Sequence, residues 1–384
     1  MIYRKAGIRF ICVQIEEVHL KSLELLEFKN VEATKLDFSS KINCFTGLNG
    51  SGKTNLMDAI YYLSFCKSFL NPTDAHSVRH GEKHCMIQGL YDLNKKTERI
   101  SISIRKGQKK IVRRNKKDYE KLVDHIGLLP LVLVSPTDVN LISEGSAERR
   151  KYLDGILSQF DSKFLAHLVQ YGRSLTQRNA LLKYFAAERH FDRDSIEVWD
   201  KALLEHGLPI HEKRSELCAQ ILPYFQEYYK RISGEREEVG LEYKSGLDET
   251  SFEDLLENHL DRDLALRYTS QGIHRDDLQF SIGGHPIRRF GSQGQQKSYL
   301  LALKLAQFAY LKEGRKRDPI LLLDDLFDKL DSGRIKNLLE LLNGTEFGQV
   351  FISDTDHARL KGLLDGIEAE VQYFSVEDGK VEKI

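Results

Sequence analysis

The chain has 384 residues, and its 57 Lys and Arg are matched by 57 Asp and Glu, so the formal charge cancels to zero. That length allows two domains with cores of their own, while zero net charge singles out no class of partner and leaves any nucleic-acid surface to a local patch. The 5 cysteines are scattered and odd in number, which suits reduced thiols in the cytoplasm rather than a disulfide framework or a Cys–His zinc site, and no apolar run nears the roughly 18 residues of a membrane span.

Residues 1–17, "MIYRKAGIRFICVQIEE", pair a basic start with an apolar patch that Arg9 interrupts, too short for a secretory signal. They are expected to be an extension or a misassigned start, with the first strand from Val18. "INCFTGLNGSGKTNLMDAIYYLSF" then predicts strand, loop and helix, because an apolar run at Ile42–Thr46 gives way to helical periodicity from Leu56. Between them stands the pattern G-x-x-x-x-G-K-[ST]. Gly47, Gly50 and Gly52 let backbone N–H groups of Asn49, Ser51 and Asn55 and their neighbours curl around phosphates. Lys53 would reach the β/γ oxygens of a nucleoside triphosphate and Thr54 would place its hydroxyl on Mg²⁺.

Alternation in "MIQGLYDL" and "RISISIRKG" predicts antiparallel strands within 85–114. The basic run that follows, with Arg105, Lys106, Lys109, Lys110, Arg113 and Arg114, has two readings: solvated surface, or contact with DNA phosphates. From Phe164 to Phe185 and from Trp199 to Tyr228, apolar residues recur at helical spacing. Two helices of about 25–30 residues, projecting some 40 Å and with Pro209 or Pro223 as possible bends, would form an antiparallel arm. Arg149 and Arg150 in "RRKYLD" are open to salt bridging or to DNA, and "HRDD" at His274–Asp277 to linking head and arm, touching nucleotide, or simply turning.

"RRFGSQGQQKSYLLALKLAQFAYL" begins a largely apolar helix with Gly291, Ser292 and Gly294, a tip that suits an anion unless Ser292 merely caps a tight turn. "DPILLLDDLFDKLD" ends an apolar strand in two acids. Asp324 is the expected Mg²⁺ carboxylate and Asp325 the residue to polarise an attacking water, both at the strand's C-terminal edge.

The P-loop, "SQGQQ" before a helix and "LLLDDLFDKLD" together resemble the ATP-binding-cassette class. "LELLEFKN", "GLNGSGKTN", "RRKYLD", "HRDD", "GSQGQQKS" and "LLLDDLFDKLD", in that order, resemble the RecF family of SMC-like ATPases. The resemblance implies an α/β fold: an ATP-binding-cassette-type P-loop head, its mixed sheet carrying an antiparallel portion, with an inserted all-helical arm. The expected division is head at 18–134, arm at 135–270 and head again at 271–384. It also implies that Ser292, Gly294, Gln295, Gln296 and Asp331 meet the nucleotide of a second, head-to-tail copy, making ATP the link in a homodimer. Asp325 stands where transporters carry glutamate, which suits a slow ATPase, and Ser353-Asp354-Thr355 stands where they place a γ-phosphate-sensing histidine. The family further implies double-stranded and gapped DNA as partner, with RecR, RecO and the RecA recombinase. A transporter-type cassette and a non-hydrolytic dimerisation module are the alternatives; the long insert and Asp325 argue against the first.

Overall fold

The computed structural model describes residues 15–234, 237–327 and 330–384. Residues 1–14 of the expected extension lie outside that set. Glu16 already belongs to the head, because its N–H donates to Lys316 O (2.8 Å) and its carbonyl accepts from Asp318 N–H (3.0 Å). The head thus includes Glu16, ahead of Val18.

One six-stranded sheet runs in the order Lys380–Lys383, Val371–Glu377, Ile42–Thr46, Val350–Asp354, Ile320–Asp324, Leu131–Val134. Its pairings are parallel except at the edge strand Lys380–Lys383. All residues of Ile42–Thr46, Ile320–Asp324 and Val350–Asp354 are buried, as expected of parallel strands covered on both faces. Alternation sorts the two faces. Ile42, Cys44, Leu321, Leu323 and Ile352 enter one core together with the helix Gln293–Arg315. Phe45, Ile320, Leu322 and Phe351 enter another together with the helix Lys53–Phe65. That second core is closed by an antiparallel sheet in the order Val31–Asp37, Val18–Phe28, His84–Leu93, Lys96–Arg105, Ile111–Arg114, Lys117–Asp118. The fold is α/β with a mixed sheet and an antiparallel portion.

The strand that leads into the two acids is not the direct neighbour of the P-loop strand; Val350–Asp354 lies between them. Parallel pairing nevertheless brings Thr46, Asp354 and Asp324 to one edge, where open α/β sheets hold ligands.

The arm consists of Ser162–Glu188 (27 residues) and Arg193–Ser233 (41 residues), started by Asp161 and Asp192, whose carboxylates accept backbone N–H groups. The second helix exceeds the expected length because it runs past the Trp199–Tyr228 stripe at both ends; Pro209 and Pro223 lie inside it. It returns to the head, where Phe225 packs on Tyr299 at 4.6 Å between ring centroids. The next strand, Val239–Lys244, pairs antiparallel with Asp277–Ile282, so the stretch expected to be wholly helical is interrupted by a strand of a small sheet before the helices Phe252–Asn258 and Leu260–Leu266. Arg178, an interruption in the sequence stripe, is fully buried and paired with Asp200 and Asp263.

"RRKYLD" and "HRDD" interlock at the arm's base. The Arg149 guanidinium grips Asp277 through Nε (2.7 Å) and Nη2 (3.1 Å). Arg150 donates to Asp276 O (2.6 Å). Arg214 clasps Asp154 bidentately (2.9 Å twice) and donates to Ile273 O. Of the readings the sequence left open, the structure places these strings in the joint between arm and head.

Candidate nucleotide-binding site

The loop after Ile42–Thr46 can take its path only with glycine at two positions. Gly47 has φ +154° and a Cβ there would lie 2.1 Å from Val376 O; Gly52 has φ +119° and a Cβ would lie 2.7 Å from Asn30 Nδ2. Asn30 braces the loop from behind, donating to Ser51 O (2.9 Å) and accepting from Asn55 Nδ2 (2.7 Å). Its role depends on a hairpin turn folding against the loop, so spacing gave no sign of it beyond its place in "LELLEFKN". Lys53 is buried, its ammonium donating to Gly47 O (2.6 Å) and Leu48 O (2.8 Å). Burial lowers its pKa, opposed by the charges of Asp325, Asp324 and Asp354.

Thr54 Oγ1 donates to Asp324 Oδ1 across 3.2 Å, which joins phosphate loop and acid edge. Asp324 is 4% exposed, and burial raises its pKa against the bonds from Ser353 and Thr54 that favour the carboxylate. Asp325 follows at φ +50°, a left-handed conformation that aspartate tolerates better than most residues. Asn49, Gly50, Gly52, Lys53, Thr54, Asn55, Pro136, Asp324, Asp325 and Ser353 line one cavity of about 190 Å³. Ser353 is a site residue that sequence reasoning missed. Asp354, in the segment that stands where transporters place the γ-phosphate-sensing histidine, has its carboxylate committed to Arg359 Nη2 (2.6 and 2.7 Å) and to Asp356 N–H (2.8 Å).

Thr54 and Asp324 supply hard oxygens, the donor set Mg²⁺ prefers when phosphates and water complete its shell. Among the described residues no group of three or more His, Cys, Asp or Glu could enclose a metal alone, so these two donors fit an ion shared with a phosphate ligand rather than a self-contained cage.

The RecF/RecN/SMC N-terminal domain model matches residues 19–380. The DNA replication and repair protein RecF of Flavobacterium johnsoniae is 47% identical over 359 residues, covering 94% of this chain and 100% of that one. This chain belongs to the RecF family. RecF of Parabacteroides distasonis is 48% identical over 363 residues, covering 94% and 98%. Among solved structures, that of the recombination mediator protein RecF-ATP in the RecFOR pathway superimposes with TM-score 0.87 at 29% identity, covering 98% of this chain and 100% of that one.

The helix that the RecF resemblance assigns to a partner's nucleotide carries the Ser292 cap that the sequence left open as an alternative. Ser292 Oγ accepts Gln295 N–H (3.2 Å) while Gln295 Oε1 accepts Ser292 N–H (2.7 Å), a reciprocal capping box. Gln295 Nε2 also donates to Glu237 (2.8 Å). Arg334 joins this tip to Asp331: it pairs with the Asp331 carboxylate and lies where a Cβ on Gly294 would meet its Nη1 at 2.8 Å. Gly294 and Asp331 therefore share one surface. Among the described residues, those lining the P-loop cavity include none of Ser292, Gly294, Gln295 and Asp331.

The basic run divides. Lys110 turns inward, donating to Asp74 (3.0 Å) and Cys66 O (2.5 Å), which removes it from the candidate DNA surface because its charge is already matched. Arg113 pairs with Asp118 and Arg114 with Glu98, both partly solvent-facing. Arg105, Lys106 and Lys109 are exposed around a hairpin turn.

Proposed function

We propose that this chain is an ATP-dependent DNA-binding protein of recombinational repair. Two copies close head-to-tail on ATP, hold double-stranded or gapped DNA between heads and arms, and separate on slow hydrolysis. The observation that carries the reading is the Thr54–Asp324 hydrogen bond, 3.2 Å long, which brings the phosphate cradle and the paired acids into one cavity. The family relationship adds its weight, since a relative of the same fold was solved as RecF-ATP.

In this reading the loop N–H groups and Lys53 hold the triphosphate, whose charge offsets the burial of the ammonium. Thr54 and Asp324 hold Mg²⁺, which supplies Lewis-acid polarisation of the phosphate oxygens. Asp325 orients and polarises the attacking water. Ser292, Gly294 and Gln295 of the second copy present the positive end of their helix to the γ-phosphate, and Asp331 approaches across the same interface. Arg105, Lys106 and Lys109 contribute DNA phosphate contacts that are indifferent to sequence. RecR, RecO and RecA are the expected partners, the last as the recombinase to be loaded, and the compartment is the cytoplasm.

Sedimentation with and without ATP and gapped duplex tests this. Wild type should dimerise with ATP, and Ser292→Arg should bind ATP yet stay monomeric, because a bulky cation at the tip obstructs the shared pocket. Normal ATP-dependent dimerisation of Ser292→Arg would end the shared-site model.

A further inference from the structure

We propose that Ser353 is a positioning residue for ATP hydrolysis, its single hydroxyl fixing Asp324 and Asp325 relative to each other. This rests on the reading of the P-loop cavity as an ATP site. Ser353 lies at the end of the strand between the P-loop strand and the acid strand, in register with Asp324. It is 0% exposed, yet it borders the cavity.

Its hydroxyl is used in both directions. Asp325 N–H donates to Ser353 Oγ at 3.0 Å, and a backbone N–H can only donate. The one hydroxyl proton therefore goes to Asp324 Oδ1, 2.6 Å away. Thr54 Oγ1 reaches the same carboxylate oxygen at 3.2 Å. Two hydroxyls from two different elements thus converge on Oδ1 and set the plane of the carboxylate. The bond to Asp325 N–H acts on the backbone, holding a residue whose φ is +50° in a conformation that a non-glycine residue seldom keeps unaided. The next residue extends the link, since Asp354 O accepts Gly47 N–H (3.3 Å) and ties the same strand end to the phosphate loop. Ser353 touches neither the reacting phosphate nor water in this account; it acts through the two acids.

Full-length wild type, Ser353→Ala and Ser353→Thr are compared by nucleotide affinity in EDTA and in Mg²⁺, by single-turnover hydrolysis and by thermal unfolding. Ser353→Ala should keep wild-type affinity in EDTA, lose roughly ten- to a hundredfold of the Mg²⁺-dependent tightening, and slow hydrolysis by a similar factor, the usual scale for residues that orient a metal ligand. Ser353→Thr retains the hydroxyl and should recover both. If Ser353→Ala does not fold, Ser353→Cys, with weaker hydrogen bonds in a similar volume, is held to the same criteria. Wild-type Mg²⁺ tightening and rate in the variant overturn the proposal, and so does an equal loss of affinity with and without Mg²⁺, which marks a merely structural role. A wild type that neither binds nor hydrolyses ATP sinks the reading of the cavity itself, whereas an active wild type beside an unimpaired variant sinks only the assignment of Ser353.

Discussion

Two residues decide whether the loop can work. Burial already disfavours the Lys53 ammonium, so Lys53→Met should leave the folded state as stable as before. It should nonetheless lose roughly ten- to a hundredfold in nucleotide affinity per charge-assisted hydrogen bond removed, at about 1.5–3 kcal/mol each. Calorimetry of ATP binding beside a melting curve separates the two effects. Gly47→Ala should do the opposite and damage the fold, because the added methyl would stand 2.1 Å from a backbone carbonyl at φ +154°. A loss of about 2–4 kcal/mol in urea unfolding is expected, with little recovery by nucleotide. At this scale the P-loop and the acid pair were legible in the sequence, because each is contiguous and its chemistry dictates its spacing. Ser353 and Asn30 were not. Their partners lie 29 and 21 residues away, and a serine ending a strand resembles any other until the sheet order is known.

Among the elements, the joint at the arm's base is the most exposed to perturbation. Arg214 is 2% exposed and faces Asp154 and Asp276. Arg214→Ala would leave Asp154 without its partner and Asp276 with one cation fewer, so a destabilisation of about 3–5 kcal/mol is expected; Arg214→Met, which fills the space, should cost less. Urea midpoints at constant slope test the ordering. "RRKYLD" and "HRDD" were conspicuous in the sequence, yet Arg149 and Arg150 were equally compatible with DNA. Only their bonds to the half-buried Asp277 carboxylate and to the Asp276 carbonyl decided the matter. The same holds for Lys110, which a basic run advertises and Asp74 occupies. Helical periodicity did locate both arm helices, and it fell short on the second because that helix runs beyond its apolar stripe at both ends, from Arg193 to Ser233.

For the whole molecule, His274 makes stability depend on pH. Its Nε2–H donates to Thr269 O (3.0 Å), so Nδ1 accepts from Tyr171 OH (2.9 Å), and the ring is neutral. Burial is the main cause that holds its pKa down to about 4, against 6.5 for the free side chain. The folded state binds fewer protons than the unfolded chain between those values. Stability is therefore unaffected by this group above pH 6.5 and should fall by up to about 3 kcal/mol as pH drops towards 4. Urea titrations from pH 7.5 to 4.5 should show that slope in wild type and a shallower one in His274→Gln.

The joint also governs how this protein can be taken apart. A fragment cut before His274 would carry off Arg149 and Arg150 while the carboxylate and carbonyl that satisfy them stayed behind. The same cut would separate Val239–Lys244 from its strand partner and strip Phe225 of Tyr299. Such a piece would expose orphaned cations beside bare apolar surface, a combination that favours aggregation over independent folding. Head and arm should thus unfold together, and heating the intact chain should melt both in a single calorimetric transition.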